Sequence, residues 1–456
     1  MNNGTNNTIC ALATATGGAL SVIRISGADS LAVVSKIFSK NISKADGNTI
    51  HYGTIIGPQL HSEGTEDAID EVLVSVFRAP HSYTGEDSVE ISCHGSAYIA
   101  KKILELLVKN GCRMAEPGEF TMRAYMNGKM DLSQAEAVAD LIASVNAASH
   151  KLAMSQLRGH LSTKLSELRE QLLHLTTLLE LELDFSDHED LEFADRSELL
   201  SLAQTIDKHI TKLADSFEKG QALKNGINVA IIGKTNVGKS TLLNKLLKDD
   251  KAIVSDIHGT TRDTIEDVID IGGVAFRFID TAGLRATEDE IERIGIERTY
   301  KTISKAKIVV WITDCNPTED ERNEILSLTR DKHLIEVRNK ADILEDSIGK
   351  HNDTIFISAK YGQGIDILEH ALLSVSDVSM LHENDVIVTS ARHYSALCSA
   401  QENLSRVTEG LKTGLSGDLI AEDLRMTLND LSEITGGQIT SQETLNNVFS
   451  HFCVGK

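Results

Sequence analysis

The stretch that most constrains this chain is Gly233-Lys234-Thr235-Asn236-Val237-Gly238-Lys239-Ser240, which fits G-x-x-x-x-G-K-[ST]. It follows the apolar run Asn228–Ile232 and opens a helical pattern carrying Leu242, Leu243, Leu246 and Leu247. A strand feeding a helix through a glycine-rich loop belongs to a sheet with helices packed on it. The glycines let backbone N–H groups close around phosphates at a helix N-terminus, where the dipole favours negative charge. In such a loop Lys239 neutralises β- and γ-phosphates and Ser240 holds Mg²⁺.

The surrounding pattern agrees. From Ile227 to about Asp377, strand-like runs at Asn228–Ile232, Val274–Ile279, Ile308–Thr313, Leu334–Val337 and Thr354–Ile357 alternate with helical segments. That alternation predicts a doubly wound, mainly parallel sheet. Three of the strands end in chemistry. Asp280-Thr281-Ala282-Gly283 places Asp280 to hold Mg²⁺ through water and the Gly283 N–H near a γ-phosphate. Asn339-Lys340-Ala341-Asp342 supplies a carboxylate that accepts both guanine N1–H and the 2-amino group, a donor pair adenine lacks. Ser358-Ala359-Lys360 adds a backbone contact to guanine. Together they imply a GTP site. The residue after Gly283 is Leu284, where the Ras pattern has a water-orienting glutamine, and no arginine finger in the same chain is evident.

Two other textures flank this unit. From Thr8 to about Asn127, strands at Ser21–Ile25, Glu71–Phe77 and Ser88–Ser92 mix with a helix at Ala97–Lys109, a small α+β domain. From Ser133 to Lys224 the chain turns helical, and Leu161, Leu165, Leu168, Leu172, Leu175 and Leu179 alternate steps of four and three. Such a stripe reads as bundle core rather than an intermolecular coiled coil. The acidic run Asp184–Glu192 reads as an exposed bend. Helices return from Ser390 to Phe452, with Ser432 and Thr435 where turns or caps would suit. The expected fold is multidomain: an α+β domain over residues 1–127, a helical domain in two parts (128–225 and 379–456), and an α/β P-loop GTPase domain inserted at 226–378.

The 456 residues include 45 basic and 67 acidic ones, a formal net charge of −22. Phosphate neutralisation supplies most nucleic-acid affinity, so a broad RNA-gripping surface is excluded and any RNA contact must use a local patch or a partner subunit. The six cysteines show no C-x-x-C pair, neither a zinc spacing nor a disulfide framework, which fits a reducing cytosol. No apolar run is long enough to span a membrane, and Met1–Thr8 lacks the basic and apolar regions of a signal peptide. A cytoplasmic location is expected.

The chain resembles the TrmE–Era–Era-like superfamily of translation GTPases and, within it, the MnmE (TrmE) family of tRNA-modification GTPases. The resemblance is carried by Val22-Ile23-Arg24-Ile25-Ser26-Gly27, Tyr83-Thr84-Gly85-Glu86-Asp87, Glu116–Ala124, Asn127–Leu132 and Gln134–Ala137. It continues in Gly259-Thr260-Thr261-Arg262-Asp263, Asp280–Arg285 and the terminal Phe452-Cys453-Val454-Gly455-Lys456. These motifs run from near the start of the chain to its last residue. Ala13–Ala19 departs from a family stretch richer in proline, arginine and glycine.

The resemblance implies K⁺ beside the phosphates in place of an arginine finger, held by Asn236, Ser255, Ile257 and Thr260 when two GTPase domains meet. It implies Mg²⁺ on Ser240 and Thr261, with Asp280 acting through water, and catalysis by Lys239, Thr261 and Glu292, the last orienting water. GTP contacts would come from Asn236, Val237, Gly238, Lys239, Ser240, Thr241, Ser255, Asp256, Ile257, Thr260, Thr261, Asp280, Thr281, Ala282, Gly283, Asn339, Lys340, Ala341, Asp342, Ser358, Ala359 and Lys360. A formyl-tetrahydrofolate would bind Arg24, Glu90, Lys129 and Lys456 in the N-terminal domain, which would also form a homodimer. Cys453 reads equally as a reactive thiol and as a small buried residue. The implied partners are the flavin-dependent protein MnmG (GidA), in a heterotetramer with FAD on that partner only, and the anticodon region of tRNA. The implied reaction adds a carboxymethylaminomethyl-type group to C5 of the wobble uridine U34. A ribosome-assembly GTPase of the same superfamily and a nucleotide-gated scaffold are the alternatives.

Overall fold

The computed structural model describes residues 7–60, 66–184, 196–248, 267–279, 302–344, 348–351, 353–376, 385–437, 442–450, 452 and 454–455. They form two units, Met1–Ala139 with Ser432–Lys456, and Asp140–Leu431.

In the first unit, strands β1 (Ile9–Leu12), β2 (Leu20–Ser26), β3 (Thr49–Leu60), β4 (Glu66–Phe77), β5 (Ser88–His94) and β6 (Arg113–Met114) make one sheet in the order β3-β4-β5-β2-β1-β6. Only β1 and β6 run parallel. Strand alternation sends Val89, Ile91 and Cys93 of β5 into the core, where helices α1 (Ser30–Ser35) and α2 (Ala97–Lys109) add Leu31, Val34, Ile103 and Leu107. The pattern does not announce the short β1 and β6, nor the long β3, which Gly53, Gly57 and Pro58 interrupt. Gly53 is required there: a Cβ would fall 2.6 Å from the Phe38 ring. Cys10 and Cys112, distant in sequence, meet in this core, and the hydrogen bond they share lowers the pKa of Cys10 and raises that of Cys112.

Helices α3 (Glu119–Met126) and α4 (Leu132–Ala143) follow. Leu132 and Ala135 bury against Leu445 and Phe449 of the C-terminal helix Gln442–Ser450 and against Phe452, so α4 and the C-terminal segment share a small core. Residues 132–139 and 432–455 thus pack with the N-terminal domain, where the sequence pattern grouped them with the helical domain.

In the second unit, α5 (Ala147–Leu157), α6 (His160–Asp184) and α7 (Arg196–Asn225) precede the sheet. All six leucines of the α6 stripe are at most 2% exposed, as a bundle core requires. The remainder of the acidic run after Asp184 lies outside the described residues. The sheet holds β7 (Ile227–Ile232), β8 (Asp267–Ile271), β9 (Val274–Phe278), β10 (Ile308–Thr313), β11 (His333–Arg338), β12 (Gly349–His351) and β13 (Thr354–Phe356), in the order β12-β13-β11-β10-β7-β9-β8. The five inner strands are parallel, and β8 and β12 are antiparallel edges. Helices α8 (Lys239–Lys248), α9 (Glu319–Leu328), α10 (Ala341–Leu344) and α11 (Ile365–Val375) connect or follow them. Successive residues of β7 enter different cores, Val229 and Ile231 one, Ala230 and Ile232 the other, so the sheet is covered on both faces.

Beyond the sheet, α12 (Ala391–Thr413) and α13 (Gly417–Thr435) resume the bundle; Ser432 lies inside α13 rather than at a cap. The returning segment is stitched down: Gln156 Nε2 donates to Ile387 O (3.1 Å) and Thr389 Oγ1 (3.0 Å), and Gln221 Nε2 to Thr389 O (2.7 Å). Leu172→Ala opens a cavity in the leucine core and is expected to destabilise it by about 2–5 kcal/mol, read as a lower urea midpoint of the helical circular-dichroism signal.

Candidate nucleotide and ligand sites

β7 ends at Ile232, and the chain turns at once into a tight loop with Gly233 at φ 150°, Asn236 at 60° and Gly238 at 100°. Both glycines are forced by contact. A Cβ on Gly233 would lie 2.2 Å from Ile312 O, and one on Gly238 2.1 Å from Asn339 Nδ2. Helix α8 then starts at Lys239 and is held to the sheet by Leu242, Leu243 and Leu246. Lys239 Nζ donates to Gly233 O (2.7 Å) and Lys234 O (2.6 Å), so its ammonium lies over the loop itself. Burial pushes its pKa down. Asn236, Ser240 and Thr241 are exposed, whereas Val237 is buried.

Asn339, 4% exposed, ties this loop to another. Its Nδ2 donates to Val237 O (2.8 Å) and its Oδ1 accepts from Ala359 N (2.9 Å). One amide therefore braces the phosphate loop against Ser358-Ala359-Lys360. Lys340, at φ 65°, pairs with Asp314 (2.8 Å), and that hydrogen bond holds the Asp314 carboxyl below its ordinary range. Ala341 N donates to Ile357 O, which leaves Asp342 exposed at the start of α10. Ser358 is fully buried, and Lys360 lies over the Tyr361 ring (5.2 Å). The loops after β7, β11 and β13 thus converge at the C-terminal edge of a parallel sheet, where ligands of such folds bind.

A second convergence lies in the other unit. Arg24 of β2 and Glu90 of β5 are register partners and form an ion pair (2.9 Å). Their side chains are 17% and 29% exposed. The guanidinium also donates to Gly455 O (3.3 Å) and lies over the rings of Tyr83 (5.2 Å) and Phe120 (5.7 Å). Gly455, at φ 96°, sits so close to β1 that a Cβ would lie 2.5 Å from Leu12 O. Tyr83 Oη shares a hydrogen bond with Thr121 Oγ1 (2.8 Å), and burial raises its pKa. Lys129 donates to Pro80 O (2.9 Å), on the segment that carries Tyr83. Beside these, Arg123 is 3% exposed and links Glu86 (3.0 Å) to Glu119 (3.1 Å), which also pairs with Arg113 (2.6 Å). Burial pushes Glu119 up, but Arg113, the Glu116 N–H and Arg123 outweigh it and hold the carboxyl below its ordinary value.

Ser255, Asp256, Ile257, Thr260, Thr261, Asp280, Thr281, Ala282, Gly283, Leu284, Glu292, Cys453 and Lys456 lie outside the described residues. Among the described residues, no cluster of histidine, cysteine and acidic side chains could hold a metal ion, and no helix is long and apolar enough to cross a membrane.

Two family profiles match the chain, the TrmE N-terminus over residues 8–129 and the MnmE helical domain over residues 132–453. The tRNA modification GTPase MnmE of Phocaeicola vulgatus is 51% identical, over 99% of each chain. That of Parabacteroides distasonis is 53% identical, over 99% of this chain and all of its own. The chain belongs to the MnmE family of tRNA-modification GTPases. It is a GTP hydrolase of tRNA modification. The G domain of the T. maritima FeoB iron transporter aligns with 33% of this chain and 98% of its own at 24% identity, with a TM-score of only 0.24.

For this MnmE family member, three features escape sequence reasoning. Asn339 was read with its motif as a base contact, and nothing in its neighbours signals the brace. Tyr83 and Phe120 stand in family motifs, but the ring contacts with Arg24 need the fold. Glu119 and Arg123 are spaced four apart on α3, which does signal a helix-surface pair, although not a buried one.

Asn339→Ala leaves Val237 O and Ala359 N without their buried partner and is expected to weaken guanine-nucleotide binding about 10- to 100-fold, measured by titration with a fluorescent GDP analogue. Glu119 stabilises its unit fully above about pH 4.5, its ordinary value, and this contribution is lost as pH falls through the lowered folded value. Glu119→Gln is therefore expected to cost about 3–5 kcal/mol near neutral pH and to flatten the acid limb of the stability curve below pH 4.5.

Proposed function

We propose that the chain is a K⁺-activated GTPase that acts with the flavin-dependent partner MnmG to add a carboxymethylaminomethyl-type group to C5 of U34 in certain tRNAs. The observation that supports the finer reading is the meeting of Arg24, Glu90 and the C-terminal Gly455 over two aromatic rings. A ribosome-assembly GTPase or a nucleotide-gated scaffold needs no such site. The donor set suits a folate: Glu90 commits one oxygen to Arg24 and can take ring N–H donors with the other, while Arg24, Lys129 and Lys456 are cations that would take its carboxylates. Bound formyl-tetrahydrofolate would supply the one-carbon unit. The protein works in the cytoplasm as a homodimer through its N-terminal domain, in a heterotetramer with MnmG, with FAD on the partner. The proposed domain division is 1–127, 128–225 with 379–456, and 226–378, with residues 132–139 and 432–455 of the helical domain packing onto the first.

In the GTPase unit, the tight Gly233–Gly238 loop, leading straight into the N-terminus of α8, suits phosphates. Lys239 swings from its loop carbonyls to the β- and γ-phosphates, and Ser240 holds Mg²⁺ with Thr261 and, through water, Asp280. Asp342 selects guanine by accepting N1–H and the 2-amino group. Asn236, exposed on the loop rim, offers the hard oxygen donor that K⁺ takes, with Ser255, Ile257 and Thr260 completing its shell. Bound K⁺ would offset charge developing on the bridging oxygen. Glu292 orients the attacking water, the task for which Leu284 is unfit.

GTP turnover in matched KCl and NaCl, with protein concentration varied, tests this. Strong K⁺ stimulation that Asn236→Ala abolishes is the expected result, and equal slow rates in both salts would remove the cation site. Titration of formyl-tetrahydrofolate into the full-length protein is expected to saturate, and Arg24→Ala to lose at least about tenfold in affinity. Absence of saturable binding to the parent would leave the folate reading without support.

A further inference from the structure

A chain with a net charge of −22 repels an RNA backbone over most of its surface, so cations gathered in one place carry information. The Asp140–Leu431 unit contains an open groove of about 760 Å³. Arg277, Lys305, Lys307 and Lys332 line it, against Glu218 and Asp331. Two cations per anion reverse the balance of the whole chain, which has 45 basic to 67 acidic residues.

The fold holds these lysines in place. Ala306, 1% exposed, is buried between Lys305 and Lys307, both of which are exposed. Lys305 O accepts from Asn228 Nδ2 (3.2 Å), Lys307 N donates to Asn228 O (2.9 Å), and Lys307 O accepts from His333 N (3.1 Å). The backbone under both lysines is thereby clamped to the starts of β7 and β11. Lys332 Nζ donates to Ser304 O (3.3 Å) and Arg277 Nη2 to Asn225 O (2.9 Å), which keeps both heads beside the pair. Among the described residues, neither Lys305 nor Lys307 forms an ion pair. Another wall is α7, whose Phe217 lines the groove and is held by stacking on Tyr394 of α12 (4.5 Å, 12°). Cations tracking a backbone beside an aromatic face are the means by which proteins hold single-stranded nucleic acid.

We infer that this groove, at the N-terminal edge of the GTPase sheet, is where the chain contacts the phosphate backbone of tRNA. The inference rests on the tRNA substrate of the proposed function, taken as touched directly by this chain, and supplies a location for that contact. The groove lies at the opposite end of β7 from Gly233, and six strand residues span about 20 Å, so RNA there leaves the nucleotide loop open.

The test compares full-length parent, Lys305→Glu/Lys307→Glu, and a charge-matched control, Lys208→Glu/Lys412→Glu, at two other exposed lysines. Fluorescence anisotropy with an unmodified tRNA transcript is read across a salt series, alongside GTP turnover. The groove variant is expected to bind about tenfold or more weakly at physiological salt. Its log K against log[salt] slope should be shallower by about 2, with turnover unchanged and the control close to parent. Equal binding by parent and groove variant, or an equal fall in the control, overturns the groove and leaves tRNA contact standing. Loss of MnmG binding with tRNA binding intact overturns it in favour of a protein occupant. A parent that binds no tRNA at any salt, alone or with MnmG, removes the direct-contact reading itself, and the groove with it.

Discussion

The nucleotide site depends on one buried amide. Asn339 donates to the phosphate loop at Val237 and accepts from Ala359, so two loops roughly 120 residues apart in sequence are set by a single side chain. Each of those bonds lies out of water, where an unmet backbone group costs about 1–3 kcal/mol. The brace explains why Gly238 must be glycine: any side chain would strike Asn339 Nδ2. Asp342 lies exposed at the start of α10, beside the braced loops. The two loops are therefore mechanically coupled before any ligand arrives.

The same economy of contact joins the GTPase sheet to the helices. The chain leaves α7 for β7 within two residues and returns along Ile387–Thr389, which Gln156 and Gln221 hold against α5 and α7. Gly220 permits that approach, since a Cβ there would meet Val388 O at 2.0 Å. A doubly wound sheet tethered at its N-terminal edge keeps its C-terminal edge free for nucleotide. The groove lined by Lys305 and Lys307 belongs to the tethered edge, so the two ends of one set of strands carry different chemistry.

Much of this was legible in sequence where the signal is local. The leucine stripe of α6 and helix Ala97–Lys109 follow from periodicity, because burial on one face imposes a repeat of 3.6, and strand Ile308–Thr313 from its continuous apolar run, because both of its faces are covered. β3 was not legible, because Gly53 answers to the Phe38 ring and not to a strand pattern. The short core of Leu132, Ala135 and Phe449 was equally hidden, since it joins segments separated by most of the chain.

The sequence by itself determined the kind of site: glycines and Lys239 at fixed spacing, the Asn339–Asp342 motif, and strands that place both at loop ends. It determined family membership for the same reason, since those spacings run throughout the chain. Only the tertiary structure decided which groups meet. Arg24 and Glu90, Arg24 and Gly455, and Asn339 and Val237 are pairs brought together by sheet register and loop packing. The net charge set the difficulty of holding RNA, and the fold decided where cations gather, because position at a strand end is a property of the assembled sheet.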